Sequence, residues 1–385
     1  MQYQVAFNIE DFMANYWQQQ PCLLKQGMQA FIDPLTAEEL AGLAMEPEIQ
    51  SRLVTCRGQQ WQAELGPFEN FDLLGDSHSS LLVQGVDHWH PEVAKLAEAF
   101  QFIPNWRFDD VMVSYSTPEG GVGPHIDQYC VFIIQGEGKR HWRVGKKQML
   151  KEFAPHAKLK HCEAFDAEID VILEPGDVLY IPPGCPHEGY AVEPAINYSI
   201  GFRAPNAKDL LSGFADYLLR HDLSSKRFAD PKRTATQEFG RIPENDSLAL
   251  NKLMLGLLNS PEATAQFLGE HLSENAHSSD IVVLSGSEDE LSYSELHACM
   301  EQGIALTRCA GIKALYLDVL PYQIFVDGQA YAIPNCSWAL AKTMCDKSVV
   351  DSYSLRAFDE DSKQLDWLID LVNAGYWYFD GQCDE

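Results

Sequence analysis

The stretch Gly123-Pro-His125-Ile-Asp127-Gln128 is followed, further along the chain, by Pro182-Pro-Gly-Cys-Pro-His187. Two histidines and one carboxylate form the facial set of ligands that holds non-heme Fe(II) and leaves the opposite side of the metal open. In a strand, residues i and i+2 point to the same face, so the side chains of His125 and Asp127 can reach one metal from inside a barrel. The two stretches therefore predict a metal site in a β-rich fold.

A His-x-Asp/Glu triplet is a weak signal by itself. With 12 histidines and 56 acidic residues in 385 positions, chance alone gives about 1.7 such triplets (12 × 56/385), and the chain has three. His90-Pro-Glu92 falls at a predicted helix start, where a proline and an acidic residue are favoured. His161-Cys-Glu163 falls in a predicted polar connection. Only His125-Ile-Asp127 enters an apolar β-run, and this context selects it.

The segment before His187 supports the same interpretation. Glu174-Pro-Gly-Asp177 predicts a turn, and Val178–Ile181 predicts a strand. The proline-rich bend then places His187 just past that strand. In a barrel, Val178–Ile181 can lie beside the strand that carries His125, and the two stretches would then meet.

Residues 106–205 have the texture of an all-β domain. Short runs rich in Val, Ile, Tyr and Phe alternate with turn residues such as Gly136-Glu-Gly138. Many short strands at regular spacing predict a sandwich or barrel of the jelly-roll kind. The predicted strands are Phe108–Ser116, Tyr129–Gln135, Arg140–Val144, Asp170–Leu173, Val178–Ile181 and Ile196–Phe202.

Residues 1–100 are mixed in pattern. They predict short helices at Ile9–Gln18, at Leu40–Met45 after the capping box that begins at Thr36, and at Pro91–Phe100. Val54–Leu65 has the pattern of a strand. The fold class predicted for the whole chain is therefore α+β.

The pattern becomes helical after Pro205. Apolar residues at 3- and 4-residue spacing predict helices over Ala207–Leu219 and Leu248–Leu258, and Ser260-Pro-Glu262 predicts the start of a third. Three helices are too few for a core of their own, so we expect them to pack on the barrel or against a second copy of the chain. Further on, Asp327-Gly328 between two apolar runs predicts a hairpin.

The overall charge is strongly acidic. The chain has 28 Lys and Arg residues against 56 Asp and Glu residues, a formal net charge of −28. Such a surface repels phosphate backbones and attracts basic proteins, so we expect no direct DNA binding. Ten scattered cysteines without a Cys-x-x-Cys pair, no signal-peptide pattern and no long apolar stretch are typical of a cytoplasmic protein with no membrane association.

The string from Tyr115 to Asp127, together with Gly176-Asp-Val-Leu-Tyr-Ile-Pro-Pro-Gly-Cys-Pro-His187, resembles the JmjC-type 2-oxoglutarate oxygenases. It is most similar to the bacterial ribosomal oxygenases, and this resemblance covers essentially the whole chain. The resemblance implies a JmjC double-stranded β-helix, a cupin-like barrel, within residues 1–206. It also implies a helical dimerisation region at 207–273, and hence a homodimer, and a winged-helix-like domain at 274–385.

The resemblance implies a chemistry as well. Fe(II) would be bound by His125, Asp127 and His187, with 2-oxoglutarate and O₂ as co-substrates. The substrate would be a side chain, an arginine, of a basic large-subunit ribosomal protein. Such a target needs acidic or aromatic neighbours, and the candidates near the two stretches, which the sequence does not rank, are Asp109, Asp110, Glu119, Tyr129 and Tyr190.

The family also has a basic residue that anchors the 5-carboxylate of 2-oxoglutarate, and Arg140 matches it. A guanidinium offers a bidentate fork to a carboxylate, and strand alternation turns the neighbouring Lys139 to the opposite face. Ser114 and Ser116, which share a strand face, and Asn197 are further candidate contacts to the co-substrate.

Two other functions remain open at this point. The chain could be a JmjC-type hydroxylase or demethylase of another basic protein, although a demethylase needs a methyl-ammonium cage that the sequence does not show. It could instead be an inert cupin-like binding module whose winged helix contacts partners. Iron-dependent turnover of 2-oxoglutarate would exclude this last alternative.

Overall fold

The computed structural model describes residues 3–58, 60–223, 226–274, 290–356 and 365–379. The chain divides after Ala204 into two compact units. No helix within these ranges is long and apolar enough to cross a membrane.

The first unit consists of short strands with three helices near its start. The helices are α1 (Ile9–Asn15), α2 (Ala37–Leu43) and α3 (Pro91–Glu98). The strands are β1 (Cys22–Leu24), β2 (Ser51–Arg57), β3 (Gln60–Leu65), β4 (Ser79–Val83), β5 (Phe108–Ser116), β6 (His125–Ile126), β7 (Cys130–Gln135), β8 (Arg140–Gly145), β9 (Glu152–His156), β10 (Leu159–Cys162), β11 (Ala167–Leu173), β12 (Val178–Ile181), β13 (Pro186–Ala191) and β14 (Ala195–Phe202).

Two antiparallel sheets form the barrel. The larger has the order β1-β12-β7-β14-β5-β4-β2-β3, and the smaller has the order β11-β8-β13-β6. Alternation along β7 gives each face of the larger sheet its own core. Val131 and Ile133 pack with Trp142 of the smaller sheet, while Phe132 and Ile134 pack in a second core on the other face. This is the predicted jelly-roll architecture, and the predicted fold class is confirmed.

Local signals in the sequence are reproduced in detail. Thr36 and Glu39 form the predicted capping box, and His90-Pro-Glu92 begins α3. The run Val54–Leu65 is not one strand, however, because a turn at Gly58, whose φ is +55°, divides it into β2 and β3. Glycine adopts this conformation without the strain that other residues would suffer.

Two expectations about strand placement are wrong. Val178–Ile181 does not lie beside the strand that carries His125, because it pairs with β1 and β7 in the larger sheet. The chain changes sheet at the proline-rich bend, and β13, which contains His187, pairs with β6. His161 does not lie in a polar connection either: it belongs to β10, paired with β9, and is only 3% exposed.

The second unit contains helices and two small sheets. Its helices are α4 (Ala207–Arg220), α5 (Glu244–Leu258), α6 (Pro261–Ser273), α7 (Tyr293–Gln302), α8 (Trp338–Asp346), α9 (Ser352–Arg356) and α10 (Asp366–Asn373). Its strands are β15 (Leu306–Arg308), β16 (Ala314–Leu317), β17 (Leu320–Val326), β18 (Gln329–Ala332), β19 (Val349–Val350) and β20 (Trp377–Phe379).

The predicted hairpin joins β17 and β18, and both Asp327 and Gly328 have a positive φ. Helix α6 contacts this hairpin and also packs on α4, where Phe267 meets Phe214. The helices after Pro205 therefore share a packed unit with the C-terminal sheets. The start of the predicted 274–385 domain, residues 275–289, lies outside the described residues.

Candidate metal centre

Strand pairing brings the two histidines together. β6 and β13 are antiparallel neighbours in which His125 and His187 are direct partners, and their ring centroids are 4.2 Å apart. Asp127 follows the end of β6, so its carboxylate arrives from the chain beyond the strand and not by the simple i, i+2 alternation expected. Asp127 Oδ2 lies 3.6 Å from His187 Nε2 and 3.9 Å from His125 Nε2.

These distances suit a shared cation. Two ligands on one transition-metal ion are separated by at most about 4 Å, twice a bond of about 2.1 Å, and both separations from Asp127 fall below that limit. Within the described part of the chain, these are the three side chains whose ligand atoms converge in this way. Two imidazoles and one carboxylate are the donors that non-heme Fe(II) takes.

Both imidazoles are held in the orientation that a ligand needs. His125 Nδ1 lies 2.9 Å from the carbonyl oxygen of Gly123, and His187 Nδ1 lies 3.0 Å from that of Cys185. A carbonyl accepts only from a protonated Nδ1, so each Nε2 keeps its lone pair for a metal. Burial, and then the neighbouring His125, lower the pKa of His187 to about 4, which leaves it neutral at pH 7.

Arg140 is a buried cation at the start of β8, and it is 4% exposed. Its Nη1 donates to Ser114 Oγ at 3.3 Å and to Asn197 Oδ1 at 3.2 Å, and its Nη2 donates to the Gly189 carbonyl at 3.0 Å. The guanidinium lies 5.0 Å from the ring centre of Trp142. Burial lowers the pKa of Arg140 to about 10, so it remains charged at pH 7.

Arg140 hydrogen-bonds only neutral oxygens among the described residues. Among the described residues it forms no ion pair with a carboxylate, and its Nε has no hydrogen-bond partner. Buried charges in proteins are almost always paired, because an unpaired charge loses its hydration without compensation. The arrangement fits a ligand that brings its own carboxylate. Lys139, by contrast, is exposed and pairs with Glu174 at 2.8 Å.

The other candidate co-substrate contacts separate into two groups. Ser114 and Asn197 lie against Arg140, whereas Ser116 shares a 2.7 Å hydrogen bond with Ser80. Gln135 belongs to the first group, although no sequence signal selects it. It accepts from Asn197 Nδ2 at 2.8 Å, and this bond turns Asn197 Oδ1 toward Arg140.

The acidic and aromatic candidates for the target pocket also fall into two groups, one around Tyr129 and one paired elsewhere. Tyr129 is surrounded by carboxylates: burial, and then the charges of Asp127, Asp110 and Asp109, raise its pKa. Asp109 pairs with Arg203 at 2.5 Å, and the Arg203 guanidinium lies 5.9 Å from the Tyr129 ring centre.

The remaining two candidates have partners of their own. Glu119 pairs with His78 on the surface at 2.8 Å. The Tyr190 hydroxyl donates to Glu188 at 3.1 Å. Tyr129 with its neighbouring carboxylates is therefore the part of the candidate set that adjoins Asp127.

Comparison with known proteins agrees with this geometry. Residues 95–210 match the JmjC domain, and residues 256–378 match the ROXA-like winged helix. The ribosomal protein uL16 3-hydroxylase of Escherichia coli is 44% identical over 99% of this chain and 100% of its own length. A probable ribosomal oxygenase of Haemophilus influenzae is 30% identical over 94% of this chain and 89% of its own.

Solved structures show the same relationship. The crystal structure of Escherichia coli YcfD covers 99% of this chain and 100% of its own, with 43% identity and a TM-score of 0.93. The structure of that ribosomal oxygenase in complex with cobalt and 2-oxoglutarate has the same coverage, 42% identity and a TM-score of 0.90. The present chain belongs to the JmjC-domain ribosomal oxygenases, and it is a 2-oxoglutarate-dependent oxygenase. The resemblance inferred from the sequence is thereby confirmed.

Proposed function

We propose that this protein uses Fe(II), 2-oxoglutarate and O₂ to hydroxylate a side chain, an arginine, of a large-subunit ribosomal protein. The observation that carries the proposal is the convergence of His125, Asp127 and His187 in a barrel that also buries Arg140, which pairs with no carboxylate among the described residues. A metal site and a carboxylate receptor in one barrel are the two parts that a 2-oxoglutarate oxygenase requires.

In this proposal His125, Asp127 and His187 hold the iron on one face. Bound Fe(II) supplies the activation of O₂ that is needed to break an unreactive C–H bond. Arg140 binds the 5-carboxylate of 2-oxoglutarate through its fork, and Ser114 and Asn197 fix the plane of the guanidinium. Three ligands on one side would leave the remaining positions of a bound metal for the co-substrates.

The target is proposed from charge and from the name of the Escherichia coli relative. The Tyr129 ring, with the carboxylates of Asp110 and of Asp109 nearby, is an aromatic and acidic neighbourhood of Asp127 that suits a guanidinium or an ammonium, and Arg203 already pairs with Asp109 there. The net charge of −28 favours association with a basic protein, and ribosomal proteins are basic and abundant. The relative's name directs this proposal to uL16.

The test is incubation of the enzyme with purified large-subunit ribosomal proteins, Fe(II) and 2-oxoglutarate, followed by mass spectrometry of each protein. We expect one arginine to gain the mass of one oxygen atom, with succinate formed in parallel. Loss of a methyl group instead would favour the demethylase alternative. Turnover of 2-oxoglutarate without a modified ribosomal protein would direct the search to another basic protein.

The matched variants for this test are Asp127→Ala and Asp170→Ala. The first removes a proposed ligand, and we expect both succinate and the modified arginine to disappear. The second removes an exposed carboxylate that pairs with His141 on the surface, and we expect wild-type activity. Turnover of 2-oxoglutarate that survives in Asp127→Ala would refute the iron assignment.

We also propose the predicted division of the chain. Residues 1–206 carry the catalytic barrel, 207–273 the helical dimerisation region and 274–385 a winged-helix-like domain that contacts protein and not DNA. Residues 275–385 contain 18 acidic and 6 basic side chains in the sequence, the opposite balance to a DNA-reading domain. We place the enzyme in the cytoplasm, where newly made ribosomal proteins are available.

A further inference from the structure

His161 lies close to the metal centre but is not one of its converging side chains. It is 3% exposed on β10. Its ring stands edge-on between two aromatic rings, with centroid distances of 4.7 Å to Trp61 and 6.0 Å to Phe153. Such packing fixes both the position and the plane of the imidazole. His161 Nε2 lies 2.7 Å from the carbonyl oxygen of Val122, to which it donates its proton.

The segment that His161 holds is the one that delivers His125. A Cβ on Gly123 would stand only 2.3 Å from His161 Cε1, so the imidazole lies directly against the Gly123 backbone. Next to it, the Cys162 N–H donates to the Pro124 carbonyl at 2.9 Å. Two hydrogen bonds therefore hold residues 122–124 against β10: one from the His161 side chain and one from the Cys162 backbone N–H.

Gly123 connects this support to the metal. Its φ is +81°, a conformation that only glycine adopts easily, and its carbonyl accepts the Nδ1–H of His125 at 2.9 Å. The orientation of that carbonyl decides where His125 Nε2 points. Partners of this kind set the tautomer and the ring plane of a ligand, and removing one typically weakens metal binding 10- to 100-fold.

We propose that His161 is a positioning residue for the metal centre, which holds the Gly123 carbonyl in place so that His125 Nε2 faces the metal. The inference rests on the proposed function, since it takes His125 as a ligand. It gives a role to the His161-Cys-Glu163 triplet, which resembles the metal motif in sequence but contributes no ligand.

The experiment measures binding of Co(II) alone to the metal-free enzyme, by calorimetry and by the visible spectrum of the bound ion. His161→Phe keeps an aromatic ring beside Trp61 and Phe153 but has no N–H, and we expect weaker binding with an altered spectrum, by less than the roughly 10- to 100-fold that loss of a direct partner of a metal ligand costs. His161→Gln keeps a donor for the Val122 carbonyl, and we expect a smaller loss. His156→Phe, the same exchange on the neighbouring strand, should bind as the wild type does.

Thermal unfolding of the metal-free variants separates positioning from folding. A lower Tm with unchanged Co(II) affinity in His161→Phe would overturn the proposal, as would equal losses of affinity in the Phe and Gln variants. If His161→Phe does not fold, His161→Met takes its place, because it matches Gln in length and lacks the donor. A wild-type enzyme that binds Co(II) but does not turn over 2-oxoglutarate with Fe(II) would refute the proposed function and leave this comparison intact.

Discussion

Arg140 shows at the scale of one residue how a binding group differs from a structural one. A structural cation is balanced by its own protein, whereas Arg140 is buried against neutral oxygens of Ser114, Asn197 and Gly189. Its burial opposes folding and is retained for a ligand that supplies the missing charge. The residue should therefore matter more for binding than for stability.

We predict that Arg140→Gln raises the KM for 2-oxoglutarate at least tenfold, because a charge-assisted hydrogen bond contributes about 1.5–3 kcal/mol. The Tm should not fall much, since a neutral side chain relieves the desolvation of the cation. Succinate formation against 2-oxoglutarate concentration measures the first effect, and calorimetry measures the second. Lys139→Gln is the control: it removes the exposed neighbouring charge and should leave the KM unchanged. An unchanged KM in Arg140→Gln would exclude Arg140 as the anchor.

Arg140 and His187 became candidates through local signals in the sequence. Strand alternation was enough to favour Arg140 over Lys139, and the proline-rich bend was enough to mark His187. Gln135 was missed because its role depends on Asn197, 62 positions away, which becomes its neighbour only when β7 pairs with β14. Hydrogen bonds between distant strands have no signature in a single sequence.

At the scale of elements, the close pairing of β8 and β13 supports the guanidinium. Gly189 lies opposite Trp142 across these strands, and a Cβ on Gly189 would stand 2.7 Å from two atoms of the indole ring. The Gly189 carbonyl accepts a hydrogen bond from Arg140 Nη2, and the Arg140 guanidinium lies over the Trp142 indole. The absence of a side chain at this position lets the two strands and the guanidinium pack together.

We predict that Gly189→Ala destabilises the barrel by about 1–3 kcal/mol, the usual effect of overpacking a core. For a unit of this size each kcal/mol lowers the Tm by roughly 2–4 °C. The displaced indole should also raise the KM for 2-oxoglutarate, by less than Arg140→Gln does. Gly42→Ala is the control, because that helical glycine has open space around its Cβ position, and alanine there should stabilise α2 by about 0.4–1 kcal/mol. Equal Tm values for the two variants would contradict this account.

The sequence predicted the positions of strands better than it predicted which strands pair with one another. The runs of residues 106–205 predicted six of the ten strands found there, because alternation and turn residues are local properties. The four missed strands are β6, β9, β10 and β13. The runs did not predict that the chain changes sheet between β12 and β13, since sheet membership depends on which strand each edge finds. The burial of His161 was missed for a related reason, because it depends on Trp61, which is distant in the sequence. The turn at Gly58 was missed although its glycine is a local signal.

At the scale of the whole molecule, α5 carries an apolar surface that the described part of the chain leaves exposed. None of its residues is buried. Its exposed apolar side chains are Leu248, Leu250, Met254, Leu255 and Leu258, which are 42–62% exposed. On a helical wheel they fall within one arc of about 160° (100° per residue). Leu257, which packs with α4 and α6, lies at the edge of that arc beside Leu250. A contiguous apolar arc on an otherwise acidic protein marks an interaction surface.

We predict that this arc is the contact between two copies of the chain, as proposed for residues 207–273. The double variant Met254→Glu with Leu255→Glu places two charges on the arc without disturbing a buried side chain, so it should fold and yet be a monomer by light scattering. Lys252→Glu changes the net charge by the same two units at a polar position beside the arc, and it should remain a dimer. A monomeric wild type would refute the dimer outright. If the double variant remains a dimer, the interface lies elsewhere, and α5 would then be available for the basic partner that the charge of −28 favours.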